Sequence, residues 1–294
     1  MNPLLGDRRS TLILVGPALL IYSVVMLVPI IVSIGYTFTS GNAIIGFQFS
    51  GIENYAELLS DTRVRDALLL TIRYAIVMTV LQVGFGYLLA LTYVFVLRRW
   101  SSSVRTLVFF PVVLPTVAVA LLFQQMFAIA PQNGLVNTML EAIGLSSTDW
   151  FGDGGTAFLV IIVMDVWRSM GFYGVLLYAG LLDIPDEIFE SARLDGASGF
   201  GLVRRIVLPL SLPVLISSLI FSINGTLKVF DSILALTNGG PGTSTSPLTI
   251  YMFDTAFRYG QYGYGSTVAF LLTIVSLAVT VLIFRANRRD ATKG

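Results

Sequence analysis

The chain lacks two residue types that carry much of protein chemistry: its 294 residues include no cysteine and no histidine. The absence of cysteine excludes disulfides and thiolate chemistry, and the absence of histidine removes the usual general base and the commonest metal ligand. Charged residues are also scarce, at 12%, where ordinary soluble domains have about a quarter. An enzyme built from this chain would depend on carboxylates, serine or lysine.

The sequence is instead rich in apolar residues. They make up 55% of the sequence, and the mean hydropathy is +0.82. Six apolar runs are long enough to cross a bilayer, at residues 12–36, 66–97, 106–129, 156–182, 212–236 and 265–284. They predict an all-α polytopic membrane protein with six transmembrane helices, forming a single domain over residues 1–294. We interpret the first run as an uncleaved anchor, because it is too long for a signal-peptide core.

Two smaller patterns qualify this arrangement. Pro111 and Pro115 predict a kink in the third run, where helical hydrogen bonds are lost. The kink could form a hinge or serve packing alone. Between the first two runs, the four-residue spacing of Glu53, Glu57 and Asp61 predicts the hydrated face of a surface helix.

The basic residues predict the orientation of the chain. With the N-terminus in the cytoplasm, the cytoplasmic segments hold twelve of the 18 basic residues. These are Arg8, Arg9, Arg98, Arg99, Arg105, Arg193, Arg204, Arg205, Arg285, Arg288, Arg289 and Lys293. Since basic residues concentrate in cytoplasmic loops, we expect both termini, and the loop at residues 183–211, on the cytoplasmic side.

That cytoplasmic loop reads as a short docking helix. Pro185 suits the first helical position, the two acidic residues after it suit the first turn, and Gly196 is a natural stop. An apolar face is formed by Ile188, Phe189 and Ala192. The pattern therefore predicts an amphipathic helix with one face packed and the other free.

The same loop carries a family motif. Glu190-Ser191-Ala192, three residues, Gly196, nine residues, Ile206, one residue and Leu208-Pro209 resemble the EAA signature of permease subunits from bacterial ATP-binding-cassette (ABC) importers, departing from it only at Ser191. In that family the helix is a coupling helix that rests in a cleft of the ATPase. The resemblance implies ATPase coupling by Glu190, Ser191, Ala192, Arg193, Asp195, Gly196 and Ala197. An ordinary interfacial helix is the alternative.

The resemblance also implies an assembly. It predicts a type I ABC importer permease fold in the bacterial plasma or inner membrane, in contact with lipid and without nucleic acid. The expected partners are a second homologous permease, a cytoplasmic ATPase dimer that binds ATP and magnesium, and an extracytoplasmic substrate-binding protein. This chain itself is expected to hold no cofactor or metal and to catalyse no reaction.

A glycine-rich turn at Asn238–Gly242 adds a second resemblance. Its loop is similar to that of the maltose-permease large-subunit type, which is also seen in glycerol-3-phosphate and lactose permeases. The resemblance implies a carbohydrate substrate, either an oligosaccharide or a disaccharide. A glycerol-3-phosphate-like or sugar-phosphate solute is the alternative.

Four charged residues fall inside the predicted spans, where each costs about 2.5 to 3.5 kcal/mol. Asp165 and Arg168 are three residues apart, as are Lys228 and Asp231, so each pair could neutralise itself. All four lie roughly 9 to 16 Å below the outer surface when counted along the spans, which predicts one shared polar cavity. Asn224 extends the fifth span's polar stripe. A structural network and a substrate pathway both remain open.

Aromatic side chains suit the faces of sugar rings, and Trp167, Phe172 and Tyr173 are the candidates. By resemblance to maltose-type permeases, the sugar site falls on Gly171, Tyr173, Ser222, Gly225, Thr226 and Val229. Gly225 and Val229 do not match the maltose permease, which argues against maltose itself. The predicted substrate pathway comprises Trp167, Arg168, Gly171, Tyr173, Ser222, Asn224, Thr226, Lys228 and Asp231.

Two other classes of protein fit the composition less well. An ion-gradient secondary transporter would show inverted repeats with broken helices, and the two halves of this sequence show no such repeat. An intramembrane enzyme could use Asp165 and Asp231, but each has a basic neighbour three residues away, which favours ionised carboxylates over a shared proton.

Overall fold

A computed structural model describes residues 8–97, 99–129 and 131–291, with side chains described from residue 11 to residue 285 within those ranges. Some of the basic residues behind the orientation prediction lie outside the described side chains: Arg8, Arg9, Arg98, Arg288, Arg289 and Lys293. Their placement therefore stays a prediction.

The regular secondary structure of the described chain is helical apart from one short hairpin. Its helices are α1 (Arg8–Tyr22), α2 (Val28–Tyr36), α3 (Glu53–Ser60), α4 (Thr62–Thr92), α5 (Ser101–Val113), α6 (Thr116–Met126), α7 (Leu135–Ala142), α8 (Gly154–Leu182), α9 (Asp186–Leu194), α10 (Gly199–Leu202), α11 (Leu208–Thr226), α12 (Asp231–Leu236), α13 (Leu248–Phe253) and α14 (Tyr262–Ala291). The hairpin pairs β1 (Thr39–Asn42) with β2 (Gly46–Phe49). Single π-helical turns continue four helices, at Ser23–Leu27, Tyr93–Leu97, Val203–Val207 and Asp254–Arg258.

The predicted membrane spans are largely confirmed. In the described chain, the helical segments long and apolar enough to cross a bilayer are Thr11–Tyr36, Thr62–Leu97, Gly154–Leu182, Gly199–Thr226 and Tyr262–Arg285. The pair α5 and α6 would make a sixth span, although its two helices meet at 94°. The all-helical prediction missed only the hairpin.

The third span differs from its prediction of one kinked helix over residues 106–129. Helix α5 ends at Val113, the next residue, Leu114, is extended with a ψ of 140°, and α6 begins after Pro115. A proline disfavours helical backbone at the residue before it, so Pro115 breaks the span instead of bending it. Pro111 stays inside α5.

The fifth span also has different bounds from the predicted 212–236. Its helical segment already begins at Gly199, runs through Pro209 and Pro213 and ends at Thr226, and α12 starts afresh at Asp231. A π-helical turn just before Pro209 shifts the hydrogen-bond pattern where the proline has no N–H to donate. The predicted coupling loop of 183–211 therefore ends near residue 198.

The chain forms two compact units: Arg65–Ile250 with Val275–Gly294, and Met1–Val64 with Tyr251–Ile274. In the larger unit, α8 lies against α5 and α11, and α12 lies against α6. Its apolar core includes Tyr74, Met78 and Ile161. The prediction of a single domain over residues 1–294 stays a prediction.

The smaller unit is organised around two polar side chains. Asn54 donates from its side-chain amide to the carbonyls of Thr37 and Thr39, at 2.8 and 2.9 Å. Asp61 accepts hydrogen bonds from the hydroxyls of Tyr251 and Tyr264, at 2.5 and 2.7 Å. The sequence placed Asp61 on a hydrated face, which is wrong, because α3 ends before it and its carboxylate turns inward.

Those hydrogen bonds set the ionisation of Asp61. Partial burial alone raises its pKa, but the two tyrosine hydroxyls and the nearby backbone N–H groups outweigh burial and lower the pKa below its usual range. The pKa of Tyr251 is raised to about 12 by burial and by the hydrogen bond to Asp61. The carboxylate is therefore ionised at neutral pH.

Candidate functional site

Helix α9 is closed at both ends by local signals. Pro185 occupies the N-cap, one position earlier than predicted. At the other end, Gly196 donates to the Arg193 carbonyl at 3.0 Å, and its φ is +81°. Ala197 donates to the Ala192 carbonyl at 2.8 Å. These two bonds form a Schellman motif, in which glycine relieves the strain of the left-handed residue, so the predicted helix and its stop are confirmed.

The two faces of α9 differ in exposure. Phe189 and Ala192 are buried in an apolar cluster of the larger unit. The exposed members of the predicted coupling set are Glu190, Ser191, Arg193, Asp195 and Gly196, while Ala197 is half-buried. Leu194 and Phe200 beside them are 89% and 78% exposed. Charged and large apolar side chains exposed together are typical of a docking surface.

A second feature of the larger unit is a polar cavity of about 380 Å³. It is lined by residues of α4, α5, α6, α8, α11 and α12, and by the unwound segment between α11 and α12. Six of the nine predicted pathway residues line it: Arg168, Tyr173, Ser222, Thr226, Lys228 and Asp231. Asp165 also lines it, so the four charged residues do share one cavity.

Three predicted pathway residues lie elsewhere. The ring of Trp167 packs beside that of Phe123, with 5.9 Å between centroids. Gly171 lies against α5, where an added Cβ would come 2.2 Å from the Val108 carbonyl oxygen. The side-chain oxygen of Asn224 accepts a hydrogen bond from the Thr280 hydroxyl at 3.0 Å. The predicted polar stripe of Asn224, Lys228 and Asp231 does not continue past Asn224, because α11 stops at Thr226.

The structure adds a hydrogen-bond network that the sequence reading missed. Gln82 donates to the Ser222 hydroxyl at 2.5 Å and accepts from the Ser169 hydroxyl at 2.8 Å. Ser222 donates in turn to Thr79 at 2.9 Å. Tyr74, Met78 and Gln82 line the cavity at a four-residue spacing that gives one face of α4. The sequence signal that could have revealed this network is Gln82, a lone amide inside the second apolar run.

Asp165 is the charged residue of the cavity that has the most partners within the protein. One carboxylate oxygen accepts from the Tyr74 hydroxyl at 2.6 Å and from the Ser232 hydroxyl at 2.8 Å. The other lies 3.9 Å from Nε of Arg168, and both of these atoms are buried without a hydrogen bond among the described residues. The predicted Asp165–Arg168 pair is confirmed, with Tyr74 and Ser232 as additional partners.

The other predicted pair does not form. In the described chain no salt bridge joins Lys228 to Asp231, and both side chains are exposed. Helix α11 ends at Thr226, so Lys228 lies in the unwound segment while Asp231 begins α12, and the three-residue spacing no longer places them on one helical face. The two charges are therefore free to meet water or a solute.

The lining combines hydroxyls, an amide and charges of both signs with aromatic faces. Phe172 lies 5.5 Å from Phe221 and 5.2 Å from Tyr173, between ring centroids. A few fixed polar groups among apolar and aromatic walls are typical of small-molecule sites. Polar groups inside a membrane protein face such cavities or water-filled paths. The cavity therefore suits a polar solute with ring faces.

Comparison with known proteins decides between the classes considered so far. Residues 82–290 match the family of binding-protein-dependent transport system inner membrane components. The chain belongs to this family. The resemblance drawn from α9 is confirmed, and the permease is a multi-pass membrane component of a transport system. The family assignment favours the importer prediction over a secondary transporter or an intramembrane enzyme.

Relatives of the permease match along most of their length. The trehalose/maltose transport system permease protein MalF of Thermococcus litoralis is 33% identical over 82% of this chain and 80% of its own. The lactose transport system permease protein LacF of Rhizobium radiobacter is 31% identical over 93% of this chain and 92% of its own.

A solved structure confirms the fold. A chain of a bacterial alginate ABC transporter, in complex with an alginate pentasaccharide-bound periplasmic protein, is similar over 96% of both chains, with a TM-score of 0.86 and 21% identity. At this identity the likeness concerns the fold alone. The permease therefore has the type I fold that the coupling motif implied.

Proposed function

We propose that this chain is a permease subunit of an ATP-driven importer for a carbohydrate, and that it forms half of the translocation pathway. The observation that carries the proposal is the helical segment Gly199–Thr226. It begins next to the exposed helix α9 and ends at the cavity, a length of about 42 Å. One continuous helix thus links a docking surface to a solute-sized space.

The proposed assembly contains a second, homologous permease, a cytoplasmic ATPase dimer and an extracytoplasmic binding protein. ATP and magnesium are bound and hydrolysed in the ATPase, and both termini of this chain lie in the cytoplasm. Closure of the ATPase moves α9 and, through the helix that follows it, opens the cavity first outward and then inward.

The nature of the solute is supported by the relatives and by the cavity. The two relatives are named as transporters of trehalose, maltose and lactose. The hydroxyl groups of a sugar can pair with Ser222, Thr226 and Gln82, and its ring can stack on Phe172 or Tyr173, all of which line the cavity.

A first experiment tests coupling at Glu190. Replacing Glu190 by Ala leaves a basic residue of the ATPase unpaired in a buried interface, which costs about 2 to 5 kcal/mol of docking. We expect the ATPase to be lost on purification and the uptake of labelled maltose, trehalose and lactose to fall. Membrane insertion should be unchanged.

A matched control is available on the same helix. Glu187 is exposed like Glu190 but lies in the first turn, outside the motif. Glu187→Ala should retain the ATPase and transport. If Glu190→Ala also retains both, the proposed coupling role is wrong.

A second candidate solute is a sugar that carries an anionic group, such as a sugar phosphate. It is favoured by Arg168 and Lys228, which both line the cavity and could bind phosphate oxygens. Under this alternative, Arg168→Gln and Lys228→Gln reduce uptake of the anionic sugar and spare its neutral counterpart. Equal losses for both sugars would exclude it.

A further inference from the structure

A second polar cavity lies within the smaller unit and shares no residue with the first. It has a volume of about 310 Å³, at the lower end of the range for ligand sites. Its walls come from β1 and the hairpin turn, from α3, and from residues 259–261 with the first turn of α14. The lining residues are Thr39, Ser40, Gly41, Asn42, Ile45, Asn54, Glu57, Tyr259, Gly260, Gln261, Gly263 and Tyr264.

The walls of this cavity are fixed by specific contacts. Asn54 holds the end of β1 through the Thr39 carbonyl at 2.9 Å. Gly263 lies so close to the same strand that an added Cβ would come 1.8 Å from the Thr39 carbonyl oxygen. Tyr264 is held by its hydrogen bond to Asp61. A cavity with such walls is formed before any ligand arrives.

Several polar groups that line the cavity make no side-chain hydrogen bond among the described residues. In the described part of the chain, no side-chain hydrogen bond engages Ser40, Glu57, Tyr259 or Gln261. They offer a hydroxyl, a carboxylate, a phenol and an amide. Tyr259 is 65% exposed, which leaves its ring face available for stacking.

The charge of the lining restricts the ligand. It contains no lysine or arginine, and its one charged side chain is that of Glu57. The carboxylate of Asp61 lies directly behind Tyr264. A phosphate, sulfonate or uronate would meet uncompensated negative charge here, whereas uncharged hydroxyl groups would find acceptors and donors.

We propose that this cavity binds one ring of a neutral saccharide, with Tyr259 stacking on the ring and Glu57, Gln261 and Ser40 bonding its hydroxyl groups. The proposal rests on the carbohydrate function proposed above. It adds a saccharide site on the permease that is separate from the translocation cavity and that discriminates against acidic sugars.

The test is calorimetric titration of the purified full-length chain in lipid nanodiscs. The probes are the neutral saccharides maltotriose, cellotriose and raffinose, with trigalacturonate as an acidic counterpart. We expect a neutral saccharide to bind, and Tyr259→Ala to weaken its binding by about tenfold. Tyr259→Phe keeps the ring and should stay within about twofold of the original.

Further variants test the charge and the location of the site. Glu57→Gln should improve binding of trigalacturonate by about fivefold, since it removes the repelling charge. Tyr22→Ala is the matched control, because Tyr22 is also exposed, at 55%, and lies on α1, away from the lining. It should bind like the original chain.

Two outcomes overturn the inference without touching the proposed function. One is that none of the neutral saccharides binds. The other is that Tyr259→Ala binds normally while Gln82→Ala with Ser222→Ala abolishes binding, which would place all binding in the first cavity. Failure of the proposed function is read separately, from retention of the ATPase and of uptake in Glu190→Ala.

Discussion

The charged residues of helix α9 and the carboxylate of Asp165 in the first cavity occupy opposite environments. Glu190 and Arg193 on α9 face away from the protein, and no salt bridge engages them among the described residues. Asp165 in the cavity is buried, with two hydroxyl partners and a nearby guanidinium. Charges exposed on a packed helix are available to another protein, whereas buried charges must be satisfied internally. The comparison separates exposed charges, which we propose serve docking, from a buried charge that holds the fold.

The largest effect is expected in the cavity. Asp165→Ala removes the acceptor of Tyr74 and Ser232 and leaves Arg168 without its partner, so the free energy of unfolding should fall by about 3 to 5 kcal/mol. Denaturation in mixed micelles measures the change. Asp231→Ala, at an exposed position in the same cavity, is the control and should cost under about 1 kcal/mol. Equal effects would remove the distinction between the two carboxylates.

A half-buried carboxylate in the smaller unit extends the test. Asp61→Asn weakens the hydrogen bonds from Tyr251 and Tyr264 and should cost about 1 to 2 kcal/mol at neutral pH. Folding lowers the pKa of Asp61, so its stabilisation is complete above the unfolded pKa of about 3.9. It is lost as the pH falls through the lower folded pKa.

The pH dependence gives the decisive measurement for Asp61. The difference in unfolding free energy between the original chain and Asp61→Asn should be largest at neutral pH and should shrink on acidification below about pH 4. A difference that stays constant with pH would show that the carboxylate charge contributes nothing.

A smaller effect is expected at the end of α9. Gly196 has a φ of +81°, so Gly196→Ala forces a left-handed alanine at a cost of about 1 to 2 kcal/mol. Thermal unfolding measures it, with Gly201→Ala as control, because no atom lies within 4 Å of a Cβ added there and its φ is ordinary. If both variants behave alike, the helix stop does not depend on glycine.

The smallest effect completes the comparison. Glu190→Ala should change the unfolding free energy of the isolated chain by no more than about 0.5 kcal/mol, although it is expected to abolish docking. Measuring both the unfolding free energy and the retention of the ATPase in this one variant distinguishes a role in stability from a role in coupling. A large loss of stability would mean that Glu190 is part of the fold after all.

Sequence reasoning succeeded wherever the signal was local. The bounds of α9, its cap at Pro185 and its stop at Gly196 follow from residues within about three turns of one another, and the structure agrees within one position. The apolar runs located five spans for the same reason. Pro115 was correctly identified as disrupting the third span, but the sequence around it could not distinguish a kinked helix from two helices that meet at 94°.

The cavity could be predicted only in part. Arg168, Tyr173 and Ser222 were found through polarity and motif resemblance. Gln82 and Tyr74 were missed, since their roles arise from partners 87 or more residues away. Asp61 was misplaced for the same reason, because its tyrosine partners come from the far end of the chain.

The sequence by itself determined the class of this protein: a helical membrane permease with a coupling helix, because hydropathy, capping and the EAA motif are all properties of neighbouring residues. Tertiary structure alone decided which polar side chains face each other. The unwinding of the chain between α11 and α12 takes Lys228 out of the helix that Asp231 begins, and the packing of α4, α8 and α12 brings Tyr74, Asp165 and Ser232 together. Hydrogen bonds between distant segments depend on how helices pack, which no local pattern specifies.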